Sequence, residues 1–510
     1  MIFGLPEFHH SSDRGRFSLG AVLSENTNEF KKNGDNIAWA ETGFLNRSAA
    51  LLNKISFCCL LGLIVLTVVP YGTVDPWWES VFECGVFGIA AIWIFQVLLR
   101  RQWNLGAPYI LVPLILITGY AFLQTINLPI LSLQQDGIVR HHLSIDRYQT
   151  LLTARKTLAL TVFLGLLLLH TSTAKRFRWL IRFVIGIGLA SALFAILRQS
   201  LQSPESTTGF GLPFLFYGLG YGQFISPNAF AYLMEMTLAL LGGLVLGGAA
   251  RRDTVLLYVA TMIVTWAALV LSSSRGGLLS FGCQFIFLVF MGLTWYSKRQ
   301  LSRPDGRQHP LLLLIRTSVL VRIAAILLIA ITLFVGVVWM GGEDLVKKFD
   351  DGKSASEETI GDLRRKDIWR ASWALIKDHP LLGVGFGAYS LAIPRYQNGS
   401  GGLKLEQAHN EYLDLTANGG VLALGLAGWF LAMLILRLKY SFRSADAYRC
   451  AAGLGAAAGI ISVAVHSFFD FGLQLTGNAV VFAALVVISV ADYPTDSTAT
   501  DRRSLSSRAK

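Results

Sequence analysis

The sequence predicts an all-α, polytopic integral membrane protein of about 12 transmembrane helices, with one long loop that contains amphipathic helices. Three observations carry that prediction. The 510-residue chain is 53% hydrophobic and only 15% charged, where a soluble protein would carry about a quarter charged residues. Runs of ~20 apolar residues recur along almost its whole length, each long enough to cross a bilayer core as a helix. Lys and Arg concentrate in alternate connections between those runs, the pattern that fixes membrane orientation.

In chain order, residues 1–48 are polar and read as a cytoplasmic arm. The first apolar run reads as a retained signal anchor rather than a cleaved signal peptide. Spans are expected at 49–70, 77–99, 107–126, 149–171, 178–198, 227–249, 254–272, 275–297 and 317–340. The loop 341–416 follows, then spans at 417–438, 450–469 and 474–492, and a basic tail, 493–510. The even-numbered connections hold Arg100–Arg101, Lys175 to Arg182, Arg251–Arg252, Lys298 to Arg322 and Arg437 to Arg449. By the positive-inside rule both termini are cytoplasmic and the odd-numbered connections face out. The net charge of +12 is therefore read as topology, and no nucleic-acid partner is expected.

The segment from Gly341 to Asn418 departs from this rule: it is strongly cationic, from Lys347 to Lys404, yet parity places it outside. An exported cationic loop with a lone His409 just before the next span implies an anionic substrate at the outer face. Within it Glu357 to Asp378 reads as an amphipathic helix, with Ala371 and Leu375 on one face and Trp369 and Trp373 suited to an interface. Pro380 ends that helix. The string GVGFG, 383–387, follows no strand and is not a dinucleotide fingerprint.

Arg275 is the sharpest single residue. It opens a span at its outer N-terminus, where both the helix dipole and the positive-inside rule disfavour a cation. Its planar guanidinium suits phosphate oxygens, and Ser272 to Ser274 with the helix N-terminus would add donors. The bland alternative is a partner carboxylate or lipid phosphate. His409 has the near-neutral titration range for general-base work; the alternative is a loop histidine bonded to backbone. Arg364, Arg365 and Arg370 could neutralise phosphates or rest on headgroups. Arg155 and Lys156, near the outer end of a span, need a cavity or a partner, and Glu235 and Asp470 could pair with them. Asn228 and Asn410 complete the candidate substrate-binding set. No DxD string is present to clamp a diphosphate through a metal, and the five cysteines form no CxxC or Cys/His cluster. Neither a metal nor a cofactor is expected.

Several strings in order resemble one family. AHNEYLDLTANGG (408–420) resembles the His-Asn-x-x-Leu signature of the O-antigen ligase and polymerase superfamily. SSSRGG (272–277) is similar to its Ser-Arg-Gly turn, and Ser226-Pro227-Asn228 to its Asn-Pro-Asn helix start. IWRASWALIKDHPLLGVGFGAY (368–389) resembles its Trp-containing helix, and His466 to Asp470 its late His…Asp pattern. The likeness covers residues 220–490. It implies a metal-independent, inverting glycosyltransferase of the C type in the bacterial inner membrane, with its active site facing the periplasm. It also implies transfer of a glycan from undecaprenyl diphosphate to a hydroxyl of another glycan or of lipid A-core. On that resemblance Arg275 binds the diphosphate, Arg370 or Arg365 assists, and His409 activates the acceptor. Many members carry Glu nine residues after the histidine; here Asn418 stands there, so that role does not transfer. A lipid-glycan transporter or flippase is the competing class, but no half-to-half repeat is visible and the candidate residues lie at one face rather than the midplane.

Overall fold

The computed structural model describes residues 47–100, 109–129, 133–135, 138–202, 215, 220–250, 252–301, 365–397, 405–444 and 446–493. The expected span 317–340 and the first part of the loop lie outside the described residues. Contacts divide the chain into a small unit, Met1–Ile55 with Trp93–Trp103, and a large one, Ser56–Ile92 with Asn104–Lys510. In the small unit the described parts are the helical residues 47–55 and 93–100; the account below concerns the large one.

The chain is an all-α polytopic membrane protein. Its helices are α1 Arg47–Val68, α2 Pro76–Arg100, α3 Val112–Thr125, α4 Arg147–His170, α5 Ala174–Leu201, α6 Pro227–Leu246, α7 Arg252–Leu271 and α8 Arg275–Leu301. They continue with α9 Arg365–Asp378, α10 Tyr389–Ala392, α11 Glu411–Phe442, α12 Ala447–His466 and α13 Thr476–Val490. A hairpin of two three-residue strands, Leu133–Gln135 and Ile138–Arg140, lies between α3 and α4. Among the described residues nine helices are long and apolar enough to cross a membrane; the segment Tyr109–Thr125 and α13 are shorter apolar helices. Apart from 417–438, each expected span that falls among the described residues overlaps one of these. Side chains start the helices: Asp146 accepts from Gln149 N at 3.0 Å before α4, and Thr173 accepts from Arg176 N before α5. Pro76 and Pro227 occupy first helical positions, where no amide hydrogen is needed.

α6 and α12 form the buried centre of the large unit. Between helices in lipid there is little hydrophobic driving force, so close packing of small residues takes its place. A Cβ on Gly243 would sit 2.3 Å from Gly455 Cα, and one on Gly455 2.7 Å from Ala239 O.

The connections expected outside gather at one end. Gly477 N donates to Gly72 O at 3.1 Å, Ser144 N to Gln124 O at 3.1 Å, and Asn478 Nδ2 to Ala229 O at 2.9 Å. At the opposite end Arg176 donates to His170 O at 3.0 Å, Arg449 pairs with Asp492 at 2.8 Å, and Tyr493 donates to Asp446 at 2.8 Å.

The described part of the long loop caps the first end with its own apolar core. Ala371, Leu375 and Ile376 of α9 pack with Val384, Tyr389, Ile393, Ala408 and Ala417. The Tyr389 hydroxyl lies 2.7 Å from Ser372 Oγ, and burial raises its pKa, which keeps it protonated. GVGFG is the ribbon that ties this cap down. Val384 N and Gly385 N donate to Ala417 O and Asn418 O, both at 2.9 Å, and Ile145 N donates to Val384 O at 2.8 Å. Phe386 N donates to Gln124 Oε1 at 3.0 Å. Gly383, at φ +64°, has no room for a side chain, since a Cβ would lie 2.4 Å from Asn418 O.

The span expected at 417–438 is different in the structure. α11 starts at Glu411 and breaks at Gly420, with φ 65° and ψ −171°. Residues 411–419 thus belong to the cap and 421–442 to the span. The cause is the chain at the end of α9. Val421 N donates to Pro380 O at 2.8 Å, and a Cβ on Gly420 would lie 2.1 Å from Leu381 O. Gly383→Ala and Gly420→Ala should each lower stability by at least about 2 kcal/mol, combining left-handed strain with a backbone clash. Gly282→Ala, which meets nothing within 4 Å, should be neutral; thermal unfolding in detergent measures all three.

Candidate functional site

The site is built on two helix starts and one helix end. Ser274 caps α8: its hydroxyl donates to Asn228 Oδ1 at 2.7 Å and accepts from Gly277 N at 3.1 Å. Ser273, at φ 56°, makes the left-handed turn before it. Arg275 is exposed as the first residue of α8, and among the described residues no carboxylate lies within ion-pair distance of it. Asn228, the second residue of α6, is thereby tied to the Arg275 turn.

His409 is 40% exposed at its side chain and has φ 48°, a left-handed conformation rare for residues other than glycine. Its Nδ1 lies 3.4 Å from Asp470 Oδ1, and its ring meets Phe471 edge-on at 5.0 Å. The chain on both sides is fixed. Ala408 N donates to Asp414 Oδ1 at 3.3 Å, and Asn410 caps α11 by accepting from Tyr412 N at 3.0 Å and Leu413 N at 3.1 Å. Glu411 N donates to Ser467 O, and the Glu411 carboxylate accepts from Leu473 N, both at 2.9 Å.

The chain around each candidate borders the end of α12. His466 packs under α8, where a Cβ on Gly276 would lie 2.8 Å from its Nε2. Asp470 N donates to His466 O at 3.1 Å, so the residues that touch the Arg275 turn and His409 are one helical turn apart, ~6 Å along the axis.

The remaining expected residues are placed elsewhere. Arg155 pairs with Glu83 at 3.5 Å, and Lys156 pairs with Glu79 while donating to Gln474 O at 2.7 Å. Glu235 and Asp470 do not pair with these cations, contrary to the expectation. Glu235 is instead bonded to His466 and Asp470 to His409, because α2 presents its own carboxylates to α4. Arg370 is 79% exposed and faces Asp367 of its own helix at 3.5 Å. Arg365 is the first described residue of α9, and Arg364 lies outside the described residues. Among the described residues no group of three or more His, Cys, Asp or Glu is arranged to hold a metal ion.

Sequence reasoning missed the Glu235–His466 pair and the Asp470–His409 contact. The one available signal was the pairing of a carboxylate and a histidine inside apolar helices, where each demands a partner. Asn418, the departure from the family pattern, is buried and satisfied. Its Oδ1 accepts from Tyr389 N at 3.1 Å, and its Nδ2 donates to Asp414 O at 2.9 Å and Asp414 Oδ2 at 3.0 Å.

Residues 260–430 match the family model described as O-antigen ligase, a stretch that includes Arg275 and His409. It is narrower than the region 220–490, and leaves out Ser226-Pro227-Asn228 and His466 to Asp470. No curated protein gives a significant match. Asn418→Leu should cost about 1–3 kcal/mol for each polar group left unpaired beside it. Thermal unfolding, with Gly425→Ala as the neutral control, checks this.

Proposed function

We propose, from the O-antigen ligase superfamily assignment that residues 260–430 support, that this membrane protein transfers a glycan from undecaprenyl diphosphate to an acceptor hydroxyl at the periplasmic face. The observation that carries this reading is the juxtaposition of an exposed Arg275 at a helix start with His409, through the single turn His466–Asp470.

Each element has a chemical task. The guanidinium and the N-terminus of α8 hold the donor diphosphate and neutralise the charge that grows on it as it leaves. His409 Nδ1 faces Asp470, which leaves Nε2 to take the proton of the acceptor hydroxyl. The acceptor oxygen forms its bond to the anomeric carbon as the carbon–oxygen bond to the diphosphate breaks. Attack opposite the leaving group inverts that carbon. Asp470 stabilises the imidazolium and holds the ring orientation. Arg370 and Arg365, on the cap, add positive charge for the donor's approach. The chain resides in the bacterial inner membrane with both termini cytoplasmic, so that the odd-numbered connections, the cationic long loop among them, face the periplasm.

The test is a gel assay of purified protein with an undecaprenyl-diphosphate-linked glycan, with and without lipid A-core. Longer lipid-linked chains without lipid A-core mean a polymerase; a shift that needs lipid A-core means a ligase. No product from a native-pathway donor in either tube overturns the reading. Arg275→Ala and His409→Ala should each lower transfer by about 10²-fold or more, the scale of a lost base or charge-stabilising group, while the protein still inserts and melts as wild type. Asp470→Asn should lower it by at least about 10-fold, since the base remains but loses its orienting carboxylate. Near wild-type turnover in any of the three removes that residue from the site.

A further inference from the structure

Glu235 and His466 form a closed polar pair inside the apolar part of the protein. Both side chains are fully buried, and His466 Nδ1 is hydrogen-bonded to Glu235 Oε1 at 2.8 Å. Ser462, one turn earlier on α12, donates to Glu235 Oε2 at 2.7 Å. The imidazole stacks on Tyr232 with ring centres 4.1 Å apart and planes within 10°. Tyr232 and Glu235 lie on one face of α6 with Asn228 and Ala231, so the pair and the capping contact of α8 share that face.

The first turn of α8 rests on this pair with no side chain between. A Cβ on Gly276 would be 2.8 Å from both His466 Cδ2 and Nε2. One on Gly277 would be 2.7 Å from Ala231 Cβ and 3.1 Å from Glu235 Oε1. The position of Arg275, one residue earlier, therefore follows the position of the imidazole. His466 Nε2 is itself buried without a hydrogen-bond partner among the described residues. A buried carboxylate and an unsatisfied ring nitrogen are costly in an apolar region, where well-packed hydrophobic side chains of similar volume are often at least as stable. Packing alone would not select them.

We infer that Glu235 and His466 are positioning residues for the donor diphosphate. The hydrogen-bonded imidazole is the bed on which the Arg275 turn is set, and Glu235 fixes its orientation. The inference rests on the proposed donor role of Arg275. Neither side chain reaches the surface, so both act through Arg275 and not on the substrate.

A double-mutant cycle on the full-length protein in detergent, with the undecaprenyl-diphosphate glycan as donor, tests it. Glu235→Gln keeps the shape and weakens the bond to the ring; it should raise donor KM and lower kcat/KM by about 10-fold, the coupling of residues in one network. In an Arg275→Lys background the same change should have little further effect, whereas in a His409→Gln background the two losses should multiply. Ser462→Ala, which removes one hydrogen bond and leaves both members of the pair, should give the same pattern in milder form and serves if Glu235→Gln fails to accumulate. An equal fold-loss in both backgrounds, or a lower melting temperature with unchanged donor KM, overturns the inference while the proposed activity stands. A wild-type protein without transfer overturns both.

Discussion

The turn that follows the end of α12, His466 to Asp470, is the piece on which the site depends. Within five residues, His466 supports the start of α8, the Ser467 carbonyl receives Glu411 N, and Asp470 meets His409. Two helix starts more than a hundred residues apart in sequence are thereby set against one short stretch. The proposed base and anion-binding group must be placed to within about an ångström to act on one bond, and a shared turn serves that placement better than separate loops. The buried pair below this turn and the capped helix starts above it keep the turn from moving.

The long loop illustrates how a membrane protein places irregular backbone. Backbone polar groups at the edge of the apolar slab must find partners, and here the glycine ribbon supplies them by bonding to three neighbouring elements at once. Gly383, Gly385 and Gly387 all have positive φ, and each lies against a different partner: Asn418, Ser144 and Thr153. The GVGFG string is thus a docking strip, its glycines fitted to close contact with the Asn418 backbone and with the Ser144 and Thr153 side chains.

Much of the fold was legible in the sequence because the bilayer imposes a length and an apolarity on every helix that crosses it. Arg275 stood out for a related reason: a cation at a helix N-terminus on the outer side violates two electrostatic preferences together. Less legible was anything that depends on which helices are neighbours. Glu235 and Asp470 were read as possible partners of Arg155 and Lys156, but Glu83 and Glu79 of α2 meet those cations. The break of α11 at Gly420 was likewise hidden, since apolarity runs on across it and only the packed Pro380–Leu382 turn forces it. Periodicity marks the faces of helices; it does not say which faces meet.

The backbone at His409 has a consequence for how this chain can change over time. At φ 48° an L-residue pays roughly 1–2 kcal/mol that a glycine would not. Selection for folding alone therefore favours glycine at this position, and under the proposed catalytic role it is the reaction that holds the imidazole there. A lineage released from that use would gain stability by drifting to glycine or asparagine. The identity of this one residue is in that sense a record of whether the site is still at work.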